Sequence, residues 1–179
     1  MAAATHNILR TLKAEHDELR ALFEQMEQTS DRAGRKRTEL LGKIEANLMP
    51  HAKWEETVFY PAFAERANRE GLKIHAEAVE EHRAVEKTVI PDVHAADVTT
   101  PQFAGRVKVF GELIDHHARD EEKEMFAMAR KLFTAQELAE FDEAYEEWKA
   151  SSASTLVSAM AGAKTGMKAA VRKVTRRAQ

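Results

Sequence analysis

His51-Ala-Lys-Trp-Glu55-Glu56 and His117-Ala-Arg-Asp-Glu121-Glu122 are one phrase written twice, 66 residues apart. Each copy has a partner histidine 35 residues upstream, His16 for the first and His82 for the second, and both partners follow a glutamate, Glu15 and Glu81. The repeated unit is therefore a histidine followed by His-x-x-x-Glu. On a helix, residues four apart lie on one face about a turn from each other. Each unit can aim two imidazoles and one carboxylate at a common point, and two units make a cage of four histidines and two carboxylates. That donor set is a metal site in outline, and it suits two metals better than one.

The surrounding pattern predicts helices almost throughout. A first helix over about 5–28 carries Leu9, Leu12, Leu19, Phe23 and Met26 on one stripe, with His16 in the missing slot. A second follows the Ser30-Asp31 cap signal and places Leu41, Ile44, Leu48, His51, Glu55, Val58 and Ala62 on one seam. Pro50 is expected to bend it, and Pro61 to bend or end it. A third, from near Gly71, carries Ala78, His82, Val85 and Val89, with Pro91 kinking its end. Thr99-Thr100-Pro101 is a cap followed by proline at the first helical position, and opens a fourth helix with Phe103, Val107, Phe110, Ile114, His117, Glu121 and Met128 on its seam. Four long helices with short connections imply an all-α fold, an antiparallel up-down four-helix bundle. Thr134 with Glu137 is a capping box that opens an additional helix through Trp148, expected to pack on the bundle through Leu138, Phe141 and Trp148. Residues 1–150 thus read as bundle plus packed helix, and 151–179 as a basic tail, flexible or conditionally helical.

His16, His51, Glu55, His82, His117 and Glu121 all fall at core-facing positions among aliphatic residues. A single such histidine is usually a satisfied core residue. A buried carboxylate, however, costs several kcal/mol unless it is paired or metal-bound. A buried network of glutamates and protonated histidines is the structural alternative, and it leaves the duplicated spacing unexplained. The chain has no cysteine, which excludes disulfides, iron–sulfur clusters and thiolate zinc sites. Nitrogen and oxygen donors without sulfur suit iron, manganese or zinc. Two bridging carboxylates and two histidines per ion leave room for an oxo or hydroxo bridge and for open positions. Structural zinc closes its shell with four ligands, which six donors in two halves do not match. No histidine has a glutamate three residues before it, so the Glu-x-x-His pattern of ferritin-like sites is absent. No run approaches 18 apolar residues and the first residues carry no apolar signal core, so a soluble cytoplasmic protein without a membrane span is expected.

The order His, His-x-x-x-Glu, His, His-x-x-x-Glu resembles the hemerythrin-like (HHE cation-binding) domain family over roughly residues 5–130. Val58-Phe59-Tyr60-Pro61 after the first glutamate pair also looks like the family's phrase, whereas the second copy has Ala127 where the proline would stand. The resemblance implies a four-helix bundle around a non-haem di-iron centre, with His16, His51, Glu55, His82, His117 and Glu121 as metal ligands. It also implies a small diatomic or peroxide ligand, since members include oxygen carriers, oxygen, redox and iron sensors, and proteins that handle nitric oxide or peroxide. Oxygen-carrying hemerythrins have a fifth histidine one turn from the ligand on the third helix. Here Ala78 and Glu86 occupy the positions four before and four after His82. Glu86 is a candidate additional ligand, its alternative being a solvated neighbour of Arg83 or Lys87. Tyr60 is a candidate hydrogen-bonding or redox neighbour, its alternative an aromatic that fills the bundle end. Glu56 and Glu122, adjacent to the ligands and off the seam, read as charges either at the surface or in contact with the ligands from behind.

Residues 151–179 hold six of the 27 basic residues and none of the 30 acidic ones, which leaves 1–150 with a net charge of -9. Leu156, Met160, Met167, Val171 and Val174 fall on one stripe of this basic segment. Such a tail can contact an acidic partner or the acidic body of another copy, or serve solubility alone. Without aromatics it gives little signal for nucleic acid. Two functional classes follow: a redox-active di-iron protein that binds or turns over peroxide, oxygen or nitric oxide, with catalase-like peroxide decomposition as the enzymatic form, or an iron- or oxygen-sensing module that signals through the tail.

Overall fold

The computed structural model describes residues 6–151, which are mostly helical with no strand among them. The basic tail and its stripe lie outside the described residues. Helix α1 runs Ile8–Glu27 behind the Asn7 cap, whose side chain accepts from the Arg10 backbone N–H. Helix α2 spans Gly34–Trp54 and continues through a π-helical segment, Glu55–Phe59, into α3, Tyr60–Arg66. The third rod is built from α4 (Arg69–Ala84), a π segment (Val85–Val89) and α5 (Ile90–His94). The fourth is α6 (Pro101–Asp120), a π segment (Glu121–Met125) and α7 (Phe126–Leu132).

Neighbouring rods run antiparallel. Along α1 and the fourth rod, His16 meets Glu122, Arg20 meets Asp115, and Phe23 meets Phe110. Along the second and third rods, Glu56 reaches His82 while a side chain at Gly71 would meet Phe63. The rods pack in the cyclic order one-two-three-four, which makes an up-down-up-down bundle. The stripe read for α1 is buried as expected, together with Ile8 and Leu22, and Thr100 caps α6 in front of Pro101. Two start signals differ. Helix α2 begins at Gly34 with no side-chain cap, because Asp31 pairs instead with Arg37 at 3.0 Å. Helix α4 begins at Arg69 because the Asn68 side chain accepts from the backbone N–H groups of Glu70 and Gly71. Arg37 is itself buried and ties the loops at that end together through Thr29 and the Val98 carbonyl.

Pro50 sits inside α2 without interrupting it, and the π segments fall elsewhere. Two of them end two residues before a proline, Pro61 or Pro91, whose ring would clash with the carbonyl four residues back in a regular α-helix. The third precedes Ala127, so proline is not required. The first and third share a buried glutamate, Glu55 or Glu121, as opening residue. Within them the Tyr60 N–H bonds the Glu55 carbonyl and the Phe126 N–H bonds the Glu121 carbonyl. In an α-helix a residue five positions on lies about 140° around the axis; the wider π turn brings it back under the first. The seams therefore continue through Phe59, Tyr60 and Phe63, and through Met125, Phe126 and Ala129. The α-helical extrapolation had placed Val58, Ala62 and Met128 there, and these are only half-buried.

The polar residues lie between two apolar layers. On one side is a mainly aliphatic core that includes Leu19, Ile44, Leu48, Val107 and Ile114. On the other are Trp54, Phe59, Phe63, Phe126 and Phe133. Residues 135–151 are helical. Leu138 is buried, and Phe141 packs edge-on to Trp54 and Phe59. The chain divides into two compact units, the bundle's ending at Glu143. In the second, the Tyr145 and Trp148 rings stack 6.4 Å apart and the Lys149 amine lies 4.5 Å over the Tyr145 ring.

The capping box at Thr134 is reciprocal: the Thr134 N–H donates to Glu137 at 2.7 Å and the Glu137 N–H to the Thr134 hydroxyl at 3.2 Å. Arg66 at 2.7 Å, followed by these Thr134 contacts, lowers the Glu137 pKa from 4.5 to about 2. A carboxyl depressed in the folded state stabilises it above the unfolded pKa, and that contribution disappears as pH falls from about 4.5 toward 2. Glu137→Gln is thus expected to lower the urea midpoint at pH 7 and to match the parent near pH 2. Equal midpoint losses at both pH values would contradict this account.

Candidate metal centre

Four helices deliver the repeated residues to one level of the bundle. The side chains separate into two groups with one member in common: His16, His51, Glu55 and Glu121, then Glu55, His82 and His117, with ligand atoms in each group within 4.8 Å of one another. All are buried except His82, which is half-buried. Within each group the two histidines face each other, His16 Nε2 to His51 Nε2 and His82 Nε2 to His117 Nε2, both at 3.1 Å. Two nitrogen ligands about 2.1 Å from one cation are about 3 Å apart at a right angle.

A ring of four carboxylates sets the tautomers. Nδ1 of His16 faces Glu122 at 3.1 Å, of His51 Glu15 at 2.9 Å, of His82 Glu56 at 3.2 Å and of His117 Glu81 at 2.7 Å. A carboxylate only accepts, so each Nδ1 carries a proton, and Nε2 is the ring atom left to face the cage and to bind a cation there. Glu122 additionally accepts from Arg20 at 2.9 Å and has Lys13 at 3.6 Å. Sequence reasoning gave Glu15 and Glu81 no role, and read Glu56 and Glu122 as charges either at the surface or behind the site histidines, of which the structure shows the second. The signal for them was present, since Glu15 with Glu81 and Glu56 with Glu122 obey the same 66-residue repeat as the histidines they contact.

None of the four side-chain oxygens of Glu55 and Glu121 has a hydrogen-bond partner. Their near neighbours are imidazole nitrogens: His51 at 3.1 Å and His82 at 3.6 Å for Glu55, and His16 at 3.4 Å for Glu121. Buried carboxylates facing four imidazole Nε2 atoms fit a cation. Without one, the positive charge falls on the imidazoles. Burial opposes charge on His51, but Glu55 and Glu15 outweigh it and raise its pKa to about 10. Burial likewise opposes charge on His117, where Glu81 and Glu121 prevail and shift it upward. Burial works against Glu121 ionisation too, yet His16 and His117 hold it below the usual carboxylate range.

The two groups differ in their aromatic neighbour. The Tyr60 hydroxyl lies 3.3 Å from His82 Nε2 and 3.4 Å from His117 Nε2. Its counterpart in the second copy, Phe126, stacks on His16 at 6.1 Å between centroids. Burial and the nearby Glu121 and Glu55 charges push the Tyr60 pKa well up, so the hydroxyl keeps its proton. Glu86, the candidate additional carboxylate, does not join either group: its side chain is 47% exposed and pairs with Lys87 at 2.7 Å. By the repeat it stands where Arg20 stands in the first copy. His75 packs edge-on to Tyr60 at 6.0 Å, and exposed His116 lies 3.6 Å from Glu81.

Fold and site together define a four-helix bundle with a buried cage of histidine and glutamate donors. The chain matches the hemerythrin HHE cation-binding domain family over residues 7–129 and belongs to it. A solved hemerythrin HHE cation-binding domain-containing protein of Mycobacterium kansasii has the same fold, with a TM-score of 0.69 at 22% identity over 82% of this chain and 89% of its own. A protein of Nostoc sp. named DNA nickase is 25% identical over 131 residues, which are 73% of this chain; the chain spans only 36% of that protein's length. No helix among the described residues is long and apolar enough to cross a membrane.

The outer glutamates yield a direct test. Glu81→Ala is expected to weaken cation binding roughly 10- to 100-fold, the usual effect of losing a carboxylate behind a ligand histidine. Competition against a chromogenic chelator reads the affinity, with far-ultraviolet circular dichroism unchanged. Unaltered affinity would make Glu81 an ordinary surface charge.

Proposed function

We propose that this chain holds two iron ions and decomposes hydrogen peroxide in preference to carrying oxygen reversibly. The observation that carries the reading is the division of the donor side chains into two groups that share Glu55. His16, His51, Glu55 and Glu121 would hold one ion, and Glu55, His82 and His117 the other. The donors, nitrogen and oxygen without sulfur, suit iron. Bound iron would supply Lewis acidity and electron-transfer capacity.

The chain's own residues supply the rest. The ring of Glu15, Glu56, Glu81 and Glu122 fixes each imidazole and raises its basicity. The aliphatic and aromatic layers keep bulk water from the donors. Tyr60 holds a proton at Oη beside the His82–His117 pair, where a peroxide oxygen needs one as its O–O bond breaks. Phe126 offers no such proton to the opposite pair. The preference for peroxide over reversible oxygen binding rests on the third rod. Ala78 is buried one turn before His82 with no donor atom, and Glu86 one turn after is turned to solvent. No fifth histidine is therefore available to restrict access to a single position. The acidic body, at -9 over residues 1–150, gives no support to a nucleic-acid substrate.

Protein purified from iron-supplemented cells is expected to contain two irons per chain and to release oxygen from hydrogen peroxide. Glu55→Ala should lose nearly all of that activity. His82→Ala should reduce iron loading while the helical content persists, since the apolar layers remain. One ion per chain, or stoichiometric zinc, would overturn the di-iron reading. A stable reversible oxygen adduct with negligible peroxide turnover would favour a carrier or sensor.

A further inference from the structure

The first copy of the repeat carries a run of three packed aromatic rings where the second keeps only one. Trp54 immediately precedes Glu55, and Phe59 and Tyr60 follow it at the end of the π segment. The corresponding residues of the second copy are Asp120, Met125 and Phe126. The three rings are 1%, 0% and 1% exposed. Tyr60 lies 5.3 Å from the His82 ring between centroids, Phe59 lies 6.3 Å from Tyr60, and Trp54 stacks on Phe59 at 6.2 Å with an interplanar angle of 12°. Indole and phenol are the most readily oxidised aromatic side chains. Phe59 is not oxidised but fills the gap between them with packed ring atoms, through which electrons tunnel better than through space.

We infer that Tyr60 and Trp54 form an electron relay that supplies reducing equivalents to the centre when it meets peroxide without an external reductant. This inference rests on the di-iron reading above. The oxidant is hydrogen peroxide, whose O–O bond breaks as it takes up two electrons and two protons to become two waters. Tyr60 gives one electron with its phenolic proton, and Trp54 gives the other with its indole N–H proton. Atoms and electrons then balance, and two neutral side-chain radicals remain. The relay directs oxidation into the aromatic layer and away from the histidine and glutamate ligands. The π geometry is what makes it possible, because a regular α-helix would turn Tyr60 about 140° from Glu55.

The test mixes iron-loaded full-length protein with hydrogen peroxide in the absence of reductant, with freeze-quenched electron paramagnetic resonance and peptide mass mapping as readouts. The expected result is a free-radical signal with indole hyperfine structure and preferential oxygen addition at Trp54. Trp148, which is more exposed, provides the internal comparison, since indiscriminate damage by peroxide in solution would favour it over Trp54. Trp54→Phe keeps a ring in the stack and is expected to abolish the indole signal and to increase ligand-histidine oxidation several-fold. The mapping of the parent protein needs no variant and stands even if that substitution fails to fold. Two bound irons and peroxide consumption with Trp54 no more oxidised than Trp148 would overturn the relay alone. Failure to take up iron would overturn both readings.

Discussion

Two carboxylates, Glu55 and Glu121, are buried in the middle of a helical bundle with no hydrogen-bond donor for any of their oxygens. Each would cost the fold several kcal/mol if left uncompensated. Positive charge beside them is therefore a condition on the whole structure. It explains why the facing positions on all four rods are histidines, why the metal-free electrostatics favour protonated imidazoles, and why a cation is the natural occupant. The outer glutamates extend the same logic by one shell, since each fixes the ring whose far nitrogen meets the cage.

The π segments convert this electrostatic demand into shape. A buried glutamate opens two of them, and in each the residue five positions on is drawn beneath it. The site thereby acquires a floor of Tyr60 on one side and Phe126 on the other. π bulges concentrate at functional sites in helical proteins generally, because they trade regular hydrogen bonding for a shifted face. Here the shift sets which rings touch the donors and aligns the Trp54, Phe59 and Tyr60 stack.

The internal repeat gives the cage its near-twofold order, and the residues around it depart from that order. His16, His51 and their outer glutamates repeat faithfully as His82, His117 and theirs. Around them Tyr60 stands against Phe126, Trp54 against Asp120, and Arg20 against Glu86. One histidine pair has a hydroxyl beside it, and the other has a guanidinium on its outer carboxylate. Two positions with matching donors are in this way given different surroundings.

The sequence by itself determined the helical class, the apolar stripes of α1 and α6, the Thr100 and Thr134 caps and the donor residues that share one level of the bundle. Each of these is a property of local spacing: a face repeats every three to four residues, and a cap acts within one turn. Only the tertiary structure decided the register beyond Glu55 and Glu121, where the α-helical extrapolation chose Val58, Ala62 and Met128 over Phe59, Phe63 and Ala129. It also separated Glu86 from the cage and assigned Glu15, Glu56, Glu81 and Glu122 to particular histidines. Those outcomes depend on backbone hydrogen bonds five residues apart and on which rod faces which. A one-residue change in winding turns every later side chain by about 100°. No local pattern carries that information, because the buried carboxylates and the packing of neighbouring rods act on the helix from outside it.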